Sequence, residues 1–471
     1  MERFDAVVIG SGQGGNPLAK AMAKHGWNTA VIERRYPGGT CVNDGCTPSK
    51  TIDASARVAY LARRGADFGV NIDGPITVDL AKVYERKQKL LLASRENIAK
   101  SLATSENSAL FMGEASFAVD HPGSGSYAIE VAMGDGSTRR LETPRVFLNT
   151  GERPNIPAEI EGLDRLPYLD STSIMELKSV PEHLLVIGAG YIALEFAQMF
   201  LRFGARVTVL ERGERLVPHE DEDVAQCLRG ILGEDGIEII TCSAVMKAAG
   251  SAGSITLDVT TDDGPRTLTG SHVLVATGRT PNVEPLHLDR AGVRQDKDGH
   301  IEVNDRLETS APGIWAMGDV KGGPAFTHIS YDDFRILRTN LLEGGNASIK
   351  DRLLTYVMFT DPELATVGLT EDAAAKQGRT VRVAEIPMKW MARANQMAEP
   401  RGMMKAVVDP ETKQILGATI LGVDGGEVAA QIQLAMMGGL PYTALREGVF
   451  AHPTKSEALN TLFTNFRDKQ A

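Results

Sequence analysis

Twice in these 471 residues an apolar strand runs into a glycine turn, a helix, a second strand and an acid. That pattern confines the chain to the doubly wound α/β class. The first copy reads Val7-Val8-Ile9, then Gly10-Ser11-Gly12-Gln13-Gly14-Gly15, a helical stretch, and Thr29-Ala30-Val31-Ile32 ending at Glu33. The second reads Leu184-Leu185-Val186-Ile187, then Gly188-Ala189-Gly190-Tyr191-Ile192-Ala193, a helix, and Arg206–Leu210 ending at Glu211. Glycines at these places let the backbone turn sharply and approach a pyrophosphate held at a helix N-terminus. The acid about 20 residues on takes ribose hydroxyls. Two copies in full strand–helix–strand context point to two dinucleotide sites, and so to cofactors that exchange electrons.

Each half closes alike. Val146-Phe147-Leu148-Asn149-Thr150-Gly151 and Val273-Leu274-Val275-Ala276-Thr277-Gly278 are apolar strands ending in Thr-Gly, which set backbone and a small hydroxyl at the mouth of a sheet. A third short strand, Ile314-Trp315-Ala316-Met317, ends in Gly318-Asp319, an acid suited to hydrogen-bond a polyol. At about 150 residues per domain the length predicts about three domains.

A net charge of −11 argues against nucleic acid or an anionic membrane as partner. No run approaches the ~18 apolar residues of a membrane span, and the strand beginning at Phe4 has no cleavable leader before it. Four cysteines do not make a secreted disulfide scaffold, so a cytoplasmic protein is expected.

Cys41-Val42-Asn43-Asp44-Gly45-Cys46-Thr47-Pro48-Ser49-Lys50 follows soon after Glu33. A zinc site fails for want of a second ligand pair at suitable spacing, and no metal site is expected. Two cysteines five apart, with Gly45 between and Pro48 after, can close a small ring where a helix starts, and a helix N-terminus stabilises a thiolate. Cys227 and Cys242 read as buried small hydrophobes.

The ordered set of Glu33, Gly38-Gly39-Thr40-Cys41, Cys46-Thr-Pro-Ser-Lys50, the second fingerprint with Glu195, Gly318-Asp319 and His452-Pro-Thr-Lys-Ser-Glu457 resembles the flavoprotein disulfide reductase family over essentially the whole chain. The resemblance implies two Rossmann-like dinucleotide-binding domains plus a C-terminal α+β dimerisation domain. An FAD domain would take residues 1–150 and 281–345, an NAD(P) domain 151–280, and an interface domain 346–471. The long helix between the disulfide and the adenine contact is matched by Leu80 to Ala103.

Carried over residue by residue, the resemblance implies FAD contacts from Gly10, Gly12, Gly15, Thr40, Thr150 and Gly151. Glu33 would serve the adenosine ribose, Ala115 in Gly113-Glu-Ala115 the adenine, and Asp319 the polyol. Lys50, near the flavin and paired with Glu195, would complete the set. Gly188, Gly190, Tyr191, Ile192, Glu195, Glu211 and Gly278 would serve NAD(P)H. Hydride would pass to the flavin and electrons on to a Cys41–Cys46 disulfide. Cys46 would be the thiolate facing the flavin and Cys41 the exposed interchange thiol. His452, oriented by Glu457, would act as acid/base at the other subunit of a homodimer. Glu211 favours NADH, because a carboxylate repels a 2′-phosphate, although Arg212 and Arg215 follow it closely.

Three departures bear on the substrate. Residues 459–471 hold no cysteine and no N-terminal metal-binding module is present, so mercuric ion is not the expected substrate. Asp44 stands where the family has an apolar residue; it either raises the thiol pKa or points to solvent. Phe326-Thr-His-Ile-Ser-Tyr-Asp332-Asp333, with Gly439-Leu-Pro-Tyr442, is similar to the reactive-chlorine-resistance flavoprotein reductases. Met388, Met391, Met397, Met403 and Met404 read as core filler rather than metal ligands. The expected acceptor is a disulfide, a metal ion or another oxidant. The alternatives are dihydrolipoamide dehydrogenase and, from another class, a flavin-binding redox sensor with little turnover.

Overall fold

A computed structural model describes residues 1–120 and 125–467 of the chain. Residues 121–124 and 468–471, at places assigned to the FAD and interface domains, lie outside that description. Contacts divide the chain into two units: residues 1–52, 82–155 and 278–352, and residues 53–81, 156–277 and 353–471.

The first unit is built on an eight-stranded sheet. At its centre Ala6–Ile9 lies between Thr29–Glu33 and Val146–Leu148, parallel to both, and Ile314–Ala316 extends the parallel set. The chain therefore reverses direction of winding at the carboxyl end of Ala6–Ile9, the place where open α/β sheets bind ligands. Both faces of this strand are covered. Val7 and Ile9 join a core with Ile32, Leu148 and Ile314, while Ala6 and Val8 pack with Leu18, Met22 and Leu337 from the helices. Burial on both sides is why these strands read as unbroken apolar runs rather than alternating ones. Ser108–Phe117 pairs parallel to Thr29–Glu33 and then antiparallel to Tyr127–Met133, giving the sheet its antiparallel wing. The helix expected from periodicity is present as Leu80–Ala103.

The second unit contains a four-stranded parallel sheet in the order Glu238–Ile240, Arg206–Leu210, His183–Ile187, His272–Val275. A three-stranded antiparallel sheet, Ala244–Ser251, Ser254–Thr261 and Gly264–Gly270, accompanies it. The same unit holds a five-stranded antiparallel sheet in the order Thr355–Met358, Glu363–Gly368, Ile415–Gly422, Met403–Val408, Arg382–Pro387. Val428, Ala429, Ile432 and Ala435 of helix Gly425–Met437 share a core with residues of this sheet. Met388, Met391 and Met404 are buried in that core and Met397 packs against it, so these sulfurs fill space. No helix among the described residues is long and apolar enough to cross a membrane.

Candidate active site

The first fingerprint is shaped by contacts that leave no room for side chains. A Cβ on Gly10, whose φ is +100°, would lie 2.2 Å from the Asn149 carbonyl oxygen, so the residue just beyond strand Val146–Leu148 closes against the turn only because residue 10 is glycine. Glu33 ties the turn to its strand: its Oε2 accepts from the Ser11 amide at 3.1 Å and the Ser11 hydroxyl at 2.8 Å, and its Oε1 accepts from Arg35 N at 2.9 Å. The segment leading to the cysteines is fastened to the same turn. Gly38 N donates to Ser11 Oγ at 3.1 Å, and a Cβ on Gly39 would come within 2.6 Å of Gly12 Cα.

Asn149, which sequence reasoning passed over, organises the mouth of this sheet. Its Oδ1 accepts from Gly15 N and its Nδ2 donates to Met317 O, both at 2.9 Å. One buried amide thereby joins the fingerprint helix, the closing strand and the strand before Gly318-Asp319. Asp333 does the matching work from below. Fully buried, it accepts from Gly318 N at 2.8 Å and pairs with Arg352 at 2.5 Å and Lys321 at 3.4 Å. Asp319 itself is half-buried. Burial pushes its carboxyl up to about 6, the Glu152 charge adds to this, and Arg279 and Lys321 oppose it.

These residues fit a flavin dinucleotide. Thr150 Oγ1 is buried and has no hydrogen-bond partner in the protein, a polar atom that a ligand would satisfy. Gly151, beside it, has nothing within 4 Å of where its Cβ would be. Ala115 lies in Ser108–Phe117, opposite Val131, and Thr40 lies in the short helix Gly39–Asn43.

The two cysteines are thiols that lie against each other. Cys46 opens the helix Cys46–Arg63, with Lys50 one turn on, and its Sγ is 3.2 Å from Thr327 Oγ1. A hydrogen bond from Cys41, then Thr327 and the charge of Lys50, bring the Cys46 thiol down to about 6 against the effect of burial. Cys41 moves the other way, well above the usual thiol range, because it shares its proton with Cys46 and is desolvated. In the single chain Cys46, at the start of its helix, is exposed and Cys41 is half-buried. Asp44 pairs with Arg35, and its side chain is largely covered rather than open to solvent.

In the second unit the other fingerprint repeats the geometry. Glu211 Oε2 accepts from Ala189 N at 2.8 Å and Oε1 from Gly213 N at 2.7 Å. A Cβ on Gly188, φ +104°, would meet the Ala276 carbonyl at 2.5 Å. Gly190 caps the helix Tyr191–Phe203, on whose first turn Tyr191 and Ile192 are half-buried, and nothing lies within 4 Å of a Cβ on Gly190. That open approach beside a helix N-terminus fits a nicotinamide dinucleotide's pyrophosphate. Gly278, likewise open at φ +115°, ends the closing strand's doublet. Arg215 is held by Asp372 at 3.7 Å and by the Pro218 carbonyl at 3.2 Å.

Glu195 is buried and accepts from Phe359 N at 2.8 Å. Gln198 and Arg202 on the same helix face hold Asp361. His452 is 70% exposed, with Nδ1 2.9 Å from Glu457 Oε2, so the carboxylate orients the ring as the spacing predicted. Cys227 and Cys242 are half-buried rather than buried, and burial raises the Cys227 thiol. Among the described residues no group of three or more His, Cys, Asp or Glu side chains is placed to hold a metal ion.

Comparison with known proteins agrees with this geometry. The family model described as pyridine nucleotide-disulphide oxidoreductase matches residues 4–333, and the dimerisation domain of the same name matches 354–463. The probable pyridine nucleotide-disulfide oxidoreductase RclA of Escherichia coli (strain K12) is 36% identical over 98% of this chain and 99% of its own. A mercuric reductase of Lysinibacillus sphaericus is 33% identical over 99% of this chain and 83% of its own. Among solved structures, a Cu(II) complex of the HOCl-induced flavoprotein disulfide reductase RclA from Escherichia coli superposes with a TM-score of 0.88 at 35% identity, covering 98% of this chain and 99% of that one.

Proposed function

Because the chain belongs to the pyridine nucleotide-disulphide oxidoreductase family, in its RclA-like branch, we propose that it carries electrons from NADH through FAD to the Cys41/Cys46 pair and on to an oxidant. The observation that carries this reading is the Cys41/Cys46 pair, with Cys46 at a helix N-terminus and its Sγ 3.2 Å from Thr327 Oγ1, on a segment fastened to the first fingerprint. A flavin redox sensor has no need of His452 held by Glu457.

FAD and NAD(P)H are the cofactors of the family. Bound FAD supplies two-electron storage between the nicotinamide and the disulfide. The protein's part is to hold and protonate. Glu33 and Glu211 secure the two glycine turns, and Asp319 offers a carboxyl to the polyol. Lys50, one turn after Cys46, serves the flavin in this reading, and Glu195 belongs to the nucleotide-binding helix. Cys46 retains negative charge after reduction, while Cys41 takes up the proton and attacks the acceptor once that proton is removed. In the homodimer His452 of one protomer, steered by Glu457, exchanges that proton at the partner's pair. The three-domain division at residues 150, 280 and 345 is part of this reading, as is a cytoplasmic location, where thiols are kept reduced.

NADH is favoured because Glu211 is pinned by two amides, and Arg215 is engaged elsewhere, leaving a carboxylate that suits a free 2′-hydroxyl. The acceptor class is a disulfide, a metal ion or another oxidant. The solved RclA complex with Cu(II) puts that ion in the first panel, with Hg(II), lipoamide and glutathione disulfide beside it.

Anaerobic absorbance titration with NADH and separately NADPH tests the reading. A long-wavelength charge-transfer band that is lost in Cys46→Ser supports it. Bleaching of the flavin with no such band in the unmodified protein rejects it. Rapid lipoamide-dependent NADH oxidation would move the protein to the dihydrolipoamide dehydrogenases.

A further inference from the structure

Phe326 immediately precedes the helix Thr327–Leu342, and Asp333 lies within it. Thr327 is the first residue of the 16-residue helix Thr327–Leu342, and its Oγ1 sits 3.2 Å from Cys46 Sγ. Cys46 is itself the first residue of an 18-residue helix, so the positive ends of two helices converge on one sulfur. A thiolate has no hydrogen, so in that state Thr327 must be the donor. Being at the start of its helix, Thr327 has no carbonyl one turn back within the helix to claim its hydroxyl.

The helix is also fixed in place. Asp333, less than two turns on, is buried against Gly318 N, Arg352 and Lys321. Its neighbour Ser330 lies against Gly14 and Gly318, with both positions too tight for a Cβ. The donor is thus preorganised by the same contacts that hold the Gly318-Asp319 turn.

We propose that the Thr327 hydroxyl is a donor that stabilises Cys46 as a thiolate when the pair is reduced. The inference rests on the redox reading of the pair given above. In the step concerned, the Cys41–Cys46 S–S bond breaks on taking two electrons from the reduced flavin and one proton, giving a Cys41 thiol and a Cys46 thiolate. Thr327 keeps its own proton throughout and contributes only its hydrogen bond. Bonds to ionised groups are the strong ones, so one hydroxyl held at 3.2 Å can add measurably to the stability of the Cys46 thiolate. Thr327 also eases the Cys41 thiol downward, but against the larger upward effect of Cys46.

The test compares Thr327→Val, which keeps the shape, and Thr327→Ser, which keeps the hydroxyl, in the full-length holoenzyme. In a Cys41→Ser background, the pH dependence of iodoacetamide alkylation at Cys46 reads its thiolate without using turnover. Thr327→Val is expected to raise the midpoint by about one unit, equivalent to about tenfold less thiolate at pH values below both midpoints. Thr327→Ser is expected to stay within a few tenths of the parent. An unmoved midpoint in Thr327→Val overturns the proposal, as does a Ser variant that shifts as far as Val, because packing would then be the cause. If Thr327→Val loses its flavin absorbance, the same comparison is made with Thr327→Ala. The underlying redox reading fails separately, by absence of an NADH-dependent long-wavelength band in the unmodified protein.

Discussion

Glu211 accepts the amide hydrogen of Ala189 at 2.8 Å, across the turn that precedes the nucleotide helix. Its other oxygen accepts from Gly213, so the carboxylate is fixed within the second fingerprint. Glu211→Ala is expected to narrow the NADH/NADPH ratio of kcat/KM by about tenfold, the equivalent of about 1.4 kcal/mol. Steady-state kinetics with both nucleotides checks it, and an unchanged ratio would remove Glu211 from nucleotide selection.

Cys46 is held down to about 6, chiefly by the hydrogen bond from Cys41. The charge-transfer band of the reduced protein is therefore expected to fade as pH falls through about 6, since protonation removes the thiolate. An ordinary thiol would show its midpoint near 8.5. Asp44 is engaged by Arg35, so Asp44→Val is expected to leave this midpoint in place. A downward shift in that variant would mean that the carboxylate acts on the sulfurs after all.

Asn149 bridges Gly15 N and Met317 O from a buried position. Asn149→Ala leaves a buried donor and a buried acceptor without partners, at a cost of roughly 2 kcal/mol or more. The expected result is a lower denaturation midpoint together with faster loss of FAD on dilution. Normal flavin retention in a destabilised variant would limit Asn149 to a folding role.

Glu220 is buried, accepts a hydrogen bond from Thr366 at 3.2 Å, and has its carboxyl pushed up to about 7 by burial, with Asp221 adding and Lys405 opposing. A raised carboxyl pKa means the folded state binds the proton more tightly. Stability from this group is present below the unfolded value near 4.5 and is lost as pH rises through about 7. Glu220→Gln mimics the protonated form. It is expected to raise stability at pH 8 by roughly 2–3 kcal/mol and to have little effect near pH 4. Chemical denaturation at the two pH values checks this, and an equal effect at both would show that titration is not the cause.

What was legible in the sequence came from short-range regularities. The fingerprints, the acids 22 residues beyond their turns, the Cys41–Cys46 pair and the His452–Glu457 spacing of five all lie within one strand–helix–strand unit or one loop. Their geometry follows from 3.6-residue and two-residue periods and from glycine's freedom at φ near +100°.

Other features were decided only by the tertiary structure. Asn149 meets Gly15 across 134 positions, and Thr327 meets Cys46 across 281. No local pattern encodes such contacts, because they exist only once the parallel sheet has brought remote strand ends to one edge. The same holds for Asp44, whose side was left open by the sequence until folding set Arg35 beside it. Residue spacing by itself determined the family's two nucleotide turns and its thiol pair. The hydroxyl that meets Cys46 comes from a distant helix, and that meeting is a property of the packed chain alone.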